Sequence, residues 1–211
     1  MSTTQTQPAH IQFHFDPLCP FAWRTALWAR EARKVRPIDI TWRFFSLEIA
    51  NRPEGKDADY VNGMGWAGLR TLALVRRKYG NEAVEKLYIQ LGNAQHGRKE
   101  SIRDRAGVEA AAQKAGYGPE IVAEALSDES TAQDVLRDHE EAVQRYHAFG
   151  VPTVALDGSD IGVYGPVIID VPQGEEAGEM WDHFHWALKT PNLFELKRDR
   201  AGTSLEPVSA E

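Results

Sequence analysis

The sequence predicts an α/β domain of βαβ…ββα plan, interrupted by a large all-helical insertion. Three observations carry this expectation. Ile11, Phe13 and Phe15 alternate with Gln12 and His14, and Ile38, Ile40, Trp42 and Phe44 alternate with Asp39, Thr41 and Arg43, which is the two-residue period of strands. A helix with Trp23, Ala26, Leu27 and Trp28 on its apolar faces lies between them, from Pro20 to about Val35, and Pro37 ends it. The two strands should therefore run parallel with a right-handed crossover. No convincing strand follows from Glu54 to Ala148, and strand character returns only at Val154.

The interruption reads as four or five helices, near 60–79, 82–92, 102–115, 119–126 and 129–149. Gly80, Gly116 and Gly150 stand where C-caps belong, and Asn81 and Asp128 where N-caps belong. Val154 and Leu156 lead through an Asp157-Gly158 turn to Ile161, Val163 and Tyr164, a hairpin. A last helix, about 175–188, gathers Ala177, Met180, Trp181, Phe184 and Leu188 on one face. The expected organisation is a discontinuous sheet domain (11–53 and 150–200), a helical insertion or lid (54–149), and polar, disordered tails at 1–10 and 201–211.

Composition narrows the function. With 42% hydrophobic and 26% charged residues in 211, the chain can bury one proper core. A net charge of -7 argues against nucleic acid or an anionic membrane as a partner. No apolar run approaches the roughly 18 residues of a membrane span, and the first ten residues show no secretory signal. A single cysteine makes no internal disulfide, which suits the reducing cytoplasm. The histidines show no ligand spacing, so no metal site is expected.

That cysteine, Cys19, lies in Phe15-Asp16-Pro17-Leu18-Cys19-Pro20-Phe21-Ala22-Trp23, where the first strand enters the first helix. Pro20 fits the first helical position, where its missing N–H costs nothing. Cys19 is thereby the N-cap, facing the free amides and positive end of the helix, a position that predicts a lowered thiol pKa. A dithiol helix carries a second Cys three residues on; here that residue is Ala22. Whatever Cys19 attacks, the chain cannot resolve the adduct itself. The bland alternative is an inert buried thiol. The other signal is Gly150-Val151-Pro152-Thr153 before the third strand: a cis Val151–Pro152 bond would set the Val151 amide and carbonyl beside the sulfur.

These features resemble the DsbA-like branch of the thioredoxin superfamily, and more closely its cytosolic actinobacterial subgroup, the mycothiol-dependent nitroreductase family. Besides Cys19-Pro20 and Val151-Pro152-Thr153, the resemblance rests on Ser46-Leu47, Asn51, Tyr60, Gly92-Asn93 with His96, Tyr164-Gly165-Pro166-Val167, Gly174-Glu175-Glu176-Ala177-Gly178 and Phe194-Glu195-Leu196-Lys197-Arg198. It implies a thiol–disulfide or nitro-group reductase with no tightly bound cofactor, using mycothiol or another small thiol as co-substrate and a disulfide or small electrophile as substrate. A homodimer is compatible with it. Cys19 would be the nucleophile, with Pro20, Phe21, Ala22, Val151, Pro152 and Thr153 around it; Phe21 has a better claim to the pocket rim than Trp23, whose helix face suits the core. The resemblance also brings Asn51, Tyr60 and His96 toward substrate. Against that, Asn51 reads equally as a loop-turning residue and Tyr60 as helix packing, while for His96, whose surroundings depart from the family pattern after Gly97, helix capping is the safer reading. Ala22 departs from the family's Cys-Pro-x-Cys and closes the internal-disulfide route, leaving a monothiol cycle. Two rivals stay open: an enzyme like the kappa-class glutathione transferases and their isomerase relatives, which activates a bound thiol, and a non-catalytic peptide-binding or chaperone module.

Overall fold

The predicted strands pair as their periodicity requires. β1 (Ala9–Phe15) and β2 (Ile38–Phe44) run parallel, in register from Ala9 opposite Ile38 to Phe15 opposite Phe44, joined by α1 (Pro20–Ala32). β3 (Thr153–Leu156) lies antiparallel on the other side of β1, and β4 (Gly162–Tyr164) closes the predicted hairpin, giving the order β2-β1-β3-β4. This computed structural model describes residues 7–53, 56–57, 59–60, 63–199 and 203–210. Among them no helix is long and apolar enough to cross a membrane.

Between β2 and β3 come α2 (Leu47–Ala50), α3 (Trp66–Tyr79), α4 (Asn81–Gly92), a π turn (Asn93–Gly97), α5 (Arg105–Lys114), α6 (Glu120–Ser127) and α7 (Ser130–Tyr146). α8 (Gly174–Leu188) packs on α1, where the Trp28 indole donates to Ala177 O at 3.1 Å and meets Phe184 edge-on at 5.7 Å. Central β1 is buried on both faces; Phe13 and Phe15 meet Trp42 edge-on at 5.1 and 5.7 Å, and Tyr88 of α4 lies 4.0 Å from the Phe15 ring.

Local signals are redirected in several places; Asp128, for one, stands a residue ahead of the N-cap of α7, which is Glu129. β1 starts at Ala9, inside the stretch expected to be a disordered tail, because the Ala9 amide finds Pro37 O at 2.9 Å. The last helix of the block ends at Tyr146 rather than Phe149, because His147 takes the left-handed conformation (φ 52°) expected of Gly150. Asn81 does not cap α4. Its side chain faces the open edge of β2 instead, accepting from Trp42 N at 2.9 Å and donating to Ile40 O at 2.7 Å. Asp138 and His139 of α7 continue this seam, accepting from Phe44 N at 3.0 Å and Ser46 N at 3.2 Å. An unpaired strand edge is thus covered by side chains of the helical block. Finally, residues 203–210, expected to be disordered, lie against the body of the molecule, with Val208 and Ala210 packed on the core.

Candidate active site around Cys19

The chain enters the site through a turn that it builds itself. Asp16 O accepts from Cys19 N at 2.9 Å, and Asp16 Oδ1 accepts from Leu18 N at 2.9 Å, an Asx turn. The second oxygen, Oδ2, accepts from Leu47 N at 2.8 Å and ties the turn to the start of α2. Pro20 then opens α1, and Cys19 is its N-cap in extended conformation. Its Sγ accepts from Ala22 N at 3.4 Å and donates to Val151 O at 3.2 Å. The Val151–Pro152 bond is cis, as is Gly165–Pro166. Thr153 Oγ1 donates to Gly150 O at 2.8 Å, which closes the loop on itself, and Thr153 O meets His14 Nδ1 of β1 at 3.3 Å.

The electrostatics correct the sequence expectation. Cys19 is only 5% exposed, and burial pushes its thiol up; the Ala22 and Phe21 amides oppose this, and the charge of Asp16 adds to it. The thiol proton also has an acceptor in Val151 O, which favours the neutral form. The helix N-terminus is present, but desolvation outweighs it. Asp16, fully buried, is itself pushed up to about 6 by desolvation against the bonds from Leu47 and Leu18. His14, buried on β1, is pulled down to about 4.

Cys19, Pro20, Ala22, Val151, Pro152 and Thr153 come together. Phe21 is half-buried against the same core. His96 reaches the turn: its Nε2 lies 2.8 Å from Pro17 O and its ring stacks 6.2 Å from Trp23. Asn51 caps α2 and donates to Leu47 O at 2.9 Å, while Tyr60 packs edge-on against Trp66 at 4.6 Å. Neither has a contact with Cys19 among its bonds. Among the described residues no three His, Cys, Asp or Glu side chains gather as a metal site.

Sequence reasoning overlooked three contributors, two residues and a segment. Asp16 is one, although an Asp two residues before an amide it can cap is a readable Asx signal. The others are Asn93, which holds Ala210, and residues 205–208, which with Pro20, Trp23, Arg24, Gln95, His96 and Lys99 line a cavity next to the cysteine; the Trp23 indole, expected in the core and 1% exposed there, also donates to Val208 O at 2.9 Å. Gly92 explains the close seating of α4 here: a Cβ on it would stand 2.3 Å from the Trp23 ring.

Residues 18–198 match the family described as Rv2466c-like, mycothiol-dependent nitroreductase Rv2466c. The chain is 34% identical over 203 residues to the uncharacterized protein Rv2286c of Mycobacterium tuberculosis, covering 95% of this chain and 86% of that one. It superposes on a probable DsbA oxidoreductase, SCO1869, of Streptomyces coelicolor with TM-score 0.61 at 19% identity (92% of this chain, 94% of that chain). A second neighbour is the cytosolic disulfide reductase DsbM of Pseudomonas aeruginosa, with TM-score 0.59 at 14% identity (84% and 99%). These neighbours share the DsbA-like thioredoxin fold, as the order of strands and helices leads one to expect. Taken with the match over most of its length, the single-cysteine chain belongs to the Rv2466c-like family of oxidoreductases, the family of the mycothiol-dependent nitroreductase.

Proposed function

We propose that the protein is a cytosolic thiol–disulfide oxidoreductase that works through one sulfur, with mycothiol as the small-thiol partner. The observation that carries this reading is the seat of Cys19 Sγ, between the Ala22 amide and the Val151 carbonyl, with no second cysteine in the chain. The substrate is a mixed disulfide of mycothiol with another molecule. The Cys19 thiolate attacks the mycothiol sulfur, the bond between the two substrate sulfurs breaks, and the other partner leaves as a thiolate that takes up a proton. A second mycothiol thiolate attacks the mycothiol sulfur of the adduct; Cys19 leaves reduced, and mycothiol disulfide is released. One disulfide is exchanged for another, with no net change at Cys19.

Each neighbour has a role in that cycle. The Ala22 and Phe21 amides favour the thiolate once the S–H···O=C bond to Val151 is given up. The freed Val151 carbonyl and amide then pair with the bound adduct. Pro20 and Phe21 form the rim, and Thr153 holds the Val151 loop in position. Nitro reduction is the second reading, which the family match supports; it needs two mycothiol molecules, giving a nitroso product, mycothiol disulfide and water.

Mass spectrometry of the intact protein after mixing with oxidised mycothiol tests the cycle. We expect one mycothiol per chain, absent in Cys19→Ser and discharged by added mycothiol. No adduct would overturn the reading. Activity that survives in Cys19→Ser would favour the isomerase-like alternative instead.

A further inference from the structure

Residues 203–210 are held chiefly by hydrogen bonds to their own main-chain groups. Arg24 donates to Glu206 O, the Trp23 indole donates to Val208 O at 2.9 Å, and Val208 N donates to His96 O at 3.1 Å. The Asn93 side chain then takes both main-chain groups of Ala210, accepting from its N at 2.6 Å and donating to its O at 3.4 Å. The gripped residues are 206, 208 and 210, the two-residue period of an extended chain. Val208 and Ala210 are half-buried, while Leu205, Pro207 and Ser209 are exposed. Opposite Ser209 the wall is bare backbone, for a Cβ on Gly97 would stand 1.9 Å from Ser209 Oγ.

This is how a groove recognises an extended peptide: main-chain bonds supply the grip, and alternate side chains sink into the floor. A cavity beside the segment, which residues 205–208 line together with Pro20, Trp23 and Arg24, reaches the residue that follows Cys19, and His96, which holds Val208, also holds Pro17 of the cysteine turn. We propose that this groove is a binding site for extended peptide, occupied at rest by the chain's own 203–210 segment, and that the segment must leave before a bulky partner reaches Cys19. A tethered occupant acts at high effective concentration, so a free peptide competes poorly with it. The proposal rests on Cys19 as the reacting sulfur only for its second half; the groove itself can be tested without thiol chemistry.

The test uses the full chain with Val208→Pro and Ala210→Pro, which remove both gripped amides, and a labelled synthetic peptide of residues 203–210. In a Cys19→Ser background, the doubly substituted chain should bind the peptide saturably and the chain with the native segment about tenfold more weakly, roughly the net worth of one hydrogen bond. With Cys19 present, a bulky maleimide should modify it about tenfold faster in the substituted chain, and the peptide should restore protection. Asn93→Ala, which loosens the segment from the other side, should reproduce the faster modification and serves if the proline variant does not fold. Equal peptide binding by both chains, or equal modification rates in both, would overturn the proposal. A chain that binds the peptide but forms no mycothiol adduct would leave the groove standing and remove only the monothiol cycle.

Discussion

The helices between β2 and β3 hold two other parts of the chain at seams built on different principles. Along β2, Asn81, Asp138 and His139 meet strand and loop backbone, and Asp138, which is 2% exposed, also pairs with Arg43 and Arg76. Beside α1, Asn93 and His96 hold a segment only half-buried, by main-chain bonds that any extended peptide could supply. The first seam loses buried, specific partners if opened. The second exchanges one set of main-chain bonds for another. A fixed attachment and a releasable one thus lie on the same block, and the cysteine is beside the releasable one.

Breaking the fixed seam should have the largest effect. Asp138→Ala strands the Phe44 amide and leaves Arg76 and Arg43 without their shared carboxylate; because both arginines can regain water, the loss should be roughly 3 kcal/mol in urea unfolding rather than more. A loss under about 0.5 kcal/mol, the usual limit for surface changes, would mean that the seam is not fixed.

Acid should open the same seam. His139 is held down to about 4 by burial, as is His14, so their protonation favours the unfolded chain and stability is lost as pH falls from about 6.5 toward 4. Asp16, pushed up to about 6, acts in the opposite direction in part of that window, because its folded form holds a proton that the unfolded chain has released. With two histidines against one carboxyl, stability should rise with pH there. His139→Asn keeps an acceptor for Ser46 N but does not titrate, and should flatten the slope by up to about 1.4 kcal/mol per pH unit. An unchanged slope would count against His139.

The releasable seam answers more mildly. Gly92→Ala presses a methyl into the Trp23 ring and should cost about 1–3 kcal/mol, while raising the rate at which Cys19 is alkylated because Trp23 also holds Val208. Asn93→Ala should cost least, about 1 kcal/mol, while its effect on Cys19 accessibility is the larger signal. A variant that loses stability without freeing Cys19 would erase the distinction between the seams.

Much of this is legible in the chain because it is local. Alternation at 11–15 and 38–44 gives the parallel pair, Cys19-Pro20 gives the helix start, and Asp157-Gly158 gives the hairpin. The rest is decided by tertiary contacts with no local signature. Asn81 reads as a cap until β2 offers an open edge, and the π turn at 93–97 continues α4 with no break in composition. Residues 203–210 are bound through groups that every residue carries, so their docking leaves no mark in the sequence. The thiol is the plainest case. Its helix cap is visible in Cys19-Pro20, but the burial that reverses the expected shift comes from residues far along the chain, Val151 among them.

The rate of Cys19 alkylation by iodoacetamide as a function of pH, in the unmodified chain, reads out the protonation state in which the sulfur rests. A sulfur resting as a thiol on the Val151 carbonyl should give an inflection above the ordinary cysteine range of about 8.5. An inflection near 7 or below would mean that the thiolate is already formed at rest, and would contradict the resting state described here.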